Sequence, residues 1–98
     1  MIIFNDLLNC MEEISSIYIK LYRLELLGEK NGSYFDNLVN DLKKLLIKEK
    51  ELFSAFENDS DYGILKSFIL DEEGPVFSRL REYINLNEKI TKDIIVWQ

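Results

Sequence analysis

One proline, Pro75, and four glycines are all that punctuate this 98-residue chain. Proline and glycine are the strongest local breakers of regular structure, so the sequence has few places to turn and must be built from few, long elements. Leu, Ile, Glu and Lys fill the intervals, and these are helix-compatible or helix-favouring residues. The length supports one core, so residues 1–98 are expected to form a single domain. Hydrophobic content of 47% is too high for a disordered chain.

The breakers divide the chain into four predicted helices. Asn5 or Asp6 is placed to cap a first helix running to about Leu27, with Gly28 as its stop and Glu29-Lys30-Asn31-Gly32 as a loop. Ser33 opens a second helix reaching about Phe56, and Asp36 three residues later resembles the acidic partner of a capping box. Asn58-Asp59-Ser60-Asp61 is a polar break, and Tyr62 to about Glu72 fits a shorter third helix. Pro75 suits the first turn of a fourth, from about Val76 towards Val96, with Asn85-Leu86-Asn87 as a candidate kink. Short connections favour antiparallel neighbours, so the expected fold is all-α: an antiparallel up-down bundle of four helices, three long and one short.

At 100° per residue, Tyr34, Phe35, Leu38, Val39, Leu42, Leu45, Leu46, Leu52, Phe53 and Phe56 of the second helix fall in an arc of roughly 140°. The first helix is broader. Leu7, Cys10, Met11, Ile14, Ile17, Tyr18, Leu21 and Leu24 form one face, and Leu8, Ile19, Tyr22 and Leu26 widen it to roughly 220°. Such a helix needs apolar neighbours on more than one side. The fourth helix ends in the apolar run Ile94-Ile95-Val96-Trp97. Ile19, Tyr22, Leu26, Ile95 and Trp97 are therefore the candidate partner-binding residues, because aromatic anchors flanked by aliphatic ones are what interface centres use. The competing reading is that all five belong to the core of the monomer. If the surplus is exposed it marks an interface with a protein partner, with a second copy in a homodimer, or, at Trp97, with a longer chain that follows.

Catalytic chemistry is poorly provided for. The chain contains no histidine, which removes the commonest general base, the commonest metal ligand and any Ser-His or Cys-His pair. Cys10, the single cysteine, falls on the main apolar face, where a thiol packs as a small hydrophobe. Glu49 lies at the centre of the second helix's apolar face and must find a polar partner there. Asn87 and Thr91 occupy the middle of the fourth helix's stripe, so a buried polar contact among Glu49, Asn87, Thr91 or a tyrosine hydroxyl is a candidate for fixing helix register. The alternative is a carboxylate-based metal site in the bundle interior, with Glu49 level with Glu12 and Glu13; it lacks the Glu-x-x-His motifs of di-iron bundles. Glu57-x-Asp59-x-Asp61 has the alternating acids of a calcium loop, but Tyr62 and Phe68 stand where that loop needs Gly and Glu, so helix capping explains these acids better. Lys43, Lys44 and Lys48 form a small basic patch that reads as a solvated face.

A net charge of −6 opposes attraction to nucleic acid and to anionic membrane surfaces. The lone cysteine and the absence of a basic, apolar leader favour a cytoplasmic setting. The sequence reading is therefore a noncatalytic interaction or regulatory module without cofactor, an inhibitor or immunity-type protein being one specific form.

Overall fold

The computed structural model describes the backbone of residues 2–30 and 32–97 and the side chains of residues 3–30 and 32–86. The described residues form an all-α fold with four helices and no strand: α1 (Ile2–Leu26), α2 (Ser33–Glu57), α3 (Tyr62–Asp71) and α4 (Pro75–Trp97). The chain divides into two compact units, Met1–Asp59 and Ser60–Gln98.

In the first unit, α1 and α2 are each 25 residues long, about 37 Å at 1.5 Å per residue. Gly28 ends α1 with φ +71°, a left-handed conformation that costs an L side chain roughly 1–2 kcal/mol and glycine nothing. This geometry turns two amides back onto the last turn. The Gly28 N–H donates to the Glu25 carbonyl at 3.1 Å and the Glu29 N–H to the Leu24 carbonyl at 2.8 Å. That pair of bonds is the Schellman arrangement, and it satisfies carbonyls the helix cannot bond itself.

The two helix starts differ from the sequence expectation. The capping position of α2 is Gly32, in extended conformation, and no side chain caps the helix. Ser33 is thus already inside the first turn, and the Ser33–Asp36 capping box does not form; the Asp36 N–H bonds the Gly32 carbonyl instead, at 3.2 Å. Residues 32–34 are exposed, so water meets the remaining amides. Helix α1 starts at Ile2, ahead of Asn5 and Asp6. The reason lies in Phe4, which is buried with its ring centroid 5.3 Å from that of Phe56. Helical winding from residue 2 onwards sets Phe4 in line with Leu7 and Met11, and their burial outweighs the missing cap.

The buried apolar residues of this unit are Phe4, Leu7, Cys10, Met11, Ile14 and Ile17 on α1 and Leu38, Phe53 and Phe56 on α2. Phe53 meets Phe56 edge-on at 6.0 Å. The Cys10 thiol donates to the Leu45 carbonyl at 3.4 Å. Phe4 at the start of α1 meets Phe56 at the end of α2, and Leu24 shares a pocket with Tyr34 and Phe35, so the two helices run antiparallel.

In the second unit, Asp61 holds the capping position of α3, with the Leu65 N–H on its carbonyl at 3.0 Å. Its carboxylate makes no capping bond, so Asp61 does not fill the side-chain capping role expected of the loop acids. Gly74, at φ +122°, turns the chain, and Pro75 opens α4, where its missing N–H costs no helical bond. Helix α4 runs without a break through Asn85-Leu86-Asn87. Ile69, Leu80 and Ile84 form the buried centre, and Phe68 meets Phe77 edge-on at 6.0 Å. The Arg81 guanidinium of α4 donates to the carbonyls of Ile69 and Glu72, where α3 ends. A cation thus sits at the negative end of the α3 dipole and fills its open acceptors.

Candidate interaction surface

The wide apolar arc of α1 is buried unequally along its length. Its first four turns are covered at Phe4, Leu7, Cys10, Met11, Ile14 and Ile17, whereas Leu21 and Leu24 are only half-buried. On the arc's second side, Tyr18, Ile19, Tyr22 and Leu26 are 46%, 55%, 62% and 68% exposed. At 100° per residue these four lie within about 100° of rotation and form one stripe about two turns long. Ile19, Tyr22 and Leu26 are the sequence candidates. Periodicity places Tyr18 on the main apolar face, and the structure leaves it exposed beside them.

Charged side chains border the stripe. Glu12 and Arg23 lie along one edge, and Glu25 lies along the other, where it pairs with Lys30 at 3.1 Å. Exposure of both partners makes that ion pair a weak contributor. Ile95 and Trp97, the other two candidates, fall on α4 beyond the described side chains, as does Asn87.

Glu49 is the one buried charged residue among the described side chains, at 0% exposure. Among those residues no buried side-chain oxygen or nitrogen lacks a hydrogen-bond partner, as the cost of burying an unsatisfied polar group requires. Glu12 and Glu13 are exposed, so they do not join Glu49 in an interior cluster. Among the described residues no group of three or more Cys, Asp or Glu side chains is placed to hold a metal ion.

On the opposite side of α1, an open groove of about 410 Å³ follows the α1–α2 seam over Ile17, Leu38 and Leu45, with Glu13, Lys20, Asp41 and Lys44 on its walls. Two acids and two bases leave it without a dominant charge, and Ser16 also lines it. Lys43, Lys44 and Lys48 are all exposed.

Sequence reasoning passed over a second apolar surface on α3. Ile64 and Phe68 are exposed on one side of that helix and Leu70 on another, and only Ile69 is buried. The signal was available: α3 is apolar around most of its circumference, so one buried face cannot accommodate all of its large side chains. Among the described residues no helix is long and apolar enough to cross a membrane. Comparison of the chain with protein-family models, with curated proteins and with solved structures returns no match.

Proposed function

We propose that this chain is a noncatalytic interaction module that binds a protein partner through the α1 stripe of Tyr18, Ile19, Tyr22 and Leu26. The exposure of these four large side chains on one helical face carries the reading. Covering a Leu or Ile fully is worth about 1.5–3 kcal/mol, and tyrosine is among the residues that dominate binding energies. The absence of histidine from the chain fits a role without chemistry. An inhibitor or immunity-type protein that sequesters its target in the cytoplasm is the specific form favoured, because a net charge of −6 speeds encounter with a basic partner. A second copy of the chain is the other protein occupant the stripe can take, without the electrostatic advantage of a basic partner.

Tyr22→Glu tests the reading by placing a charge in the middle of the stripe. Unchanged thermal stability together with loss of a defined partner that copurifies with the unaltered protein is the expected result. A variant that unfolds would make Tyr22 part of the monomer core, and one that keeps the same partner would remove the stripe from recognition.

A further inference from the structure

We infer that the α1 stripe is half of a two-fold symmetric interface with a second copy of this chain, in which two α1 helices pack antiparallel. The inference rests on the reading of the stripe as a protein-binding surface and names its occupant.

Three features of the stripe point to self-pairing. The first is area. With about 200 Å² for each large side chain, the exposed parts of the four residues amount to roughly 450 Å² on one protomer. Two copies together with the flanking Ser15, Arg23 and Glu25 reach the ~1,000 Å² that a specific interface needs. Such an interface is small enough to be concentration-dependent.

The second feature is self-complementarity. A two-fold axis level with the Lys20–Leu21 peptide sets Ile19 opposite Tyr22 of the second copy, and Leu26 opposite Ser15. Each large residue then meets a differently shaped one, as knobs entering holes require. The antiparallel order also opposes the two helix dipoles.

The third is charge. In this register Arg23 lies level with Tyr18 of the second copy and Glu25 level with Ser16, so neither of these charges is set level with a like one, and the guanidinium can lie over the tyrosine ring. The stripe itself carries no charged side chain, and its borders carry both signs, Glu12 and Arg23 on one edge and Glu25 on the other, so pairing does not stack a single sign there.

Light scattering across a concentration series, from micromolar towards millimolar, reads the pairing. The mass is expected to rise from one chain towards two, and Tyr22→Glu is expected to weaken association at least about tenfold, the loss of a single central contact. The register is read by mixing Ile19→Cys and Tyr22→Cys chains under oxidation. Antiparallel pairing yields the mixed disulfide in excess over either self-pair, and buried Cys10 stays out of the exchange. A mass that stays at one chain, or an excess of self-pairs, overturns the inference. The wider reading is judged separately, by whether Tyr22→Glu abolishes capture of a defined partner.

Discussion

The ring of Phe4 lies 5.3 Å from that of Phe56, so the first turn of α1 is held by the last turns of α2. Both residues are buried, and Phe53 closes the cluster edge-on against Phe56. Phe56→Ala is expected to cost about 3–5 kcal/mol by leaving a cavity at this end of the hairpin. Phe4→Ala also releases the start of α1, and hydrogen exchange is expected to accelerate most in its first two turns. Uniform exchange along α1 would mean that Phe4 does not anchor the helix start.

Glu49 is a fully buried acidic side chain of the α1–α2 unit. Glu49→Ala is expected to destabilise by roughly 3 kcal/mol, because it leaves both a cavity and unpaired partner groups. Glu49→Gln keeps the shape and most of the hydrogen-bonding capacity and is expected to cost distinctly less. Denaturant midpoints of the two variants decide; equal losses would mean that the carboxylate itself is indispensable.

Gly28 sets the reversal after α1. Gly28→Ala introduces a side chain at φ +71° with no clash, since beyond the adjoining residues no heavy atom lies within 4 Å of the added carbon. The penalty is therefore conformational, about 1 kcal/mol, and Gly28→Asn is expected to cost less because Asn tolerates this region. Thermal unfolding ranks the three proteins, and equal stability would show that the Schellman turn adds nothing.

Arg81 bonds the carbonyls of Ile69 and Glu72 at the end of α3. Arg81→Met keeps much of the aliphatic stem while removing the donor, and is expected to cost about 1.5–3 kcal/mol. The loss should appear as faster amide exchange in the last turn of α3. Exchange that accelerates only in α4 would indicate that the arginine acts through packing.

Cys10 offers a direct probe of the α1–α2 seam. Its buried thiol is expected to react with a water-soluble thiol reagent far more slowly in the folded protein than in the unfolded chain. Labelling at equal rates would show that this part of the seam opens readily.

The amounts legible in sequence and in structure differ for physical reasons. Few breakers and a 3.6-residue apolar period were enough to assign four helices, the Gly28 stop, the Pro75 start and the burial of Cys10 and Glu49, because each depends on local chemistry or on one helix face. Helix starts were less legible. Ser33 and Asn5 carry good capping side chains, yet Gly32 takes the extended conformation before α2 and Phe4 draws the start of α1 back to Ile2, so contacts far along the chain outrank local caps. Ile19, Tyr22 and Leu26 mark the same limit. Their spacing placed them on a broad apolar arc, but only the packed chain decides which part of an arc is covered, since burial depends on the neighbours that reach it. Sequence by itself determined the helices and their apolar faces; the tertiary structure decided that the first half of the α1 arc is core and that the second half faces outward.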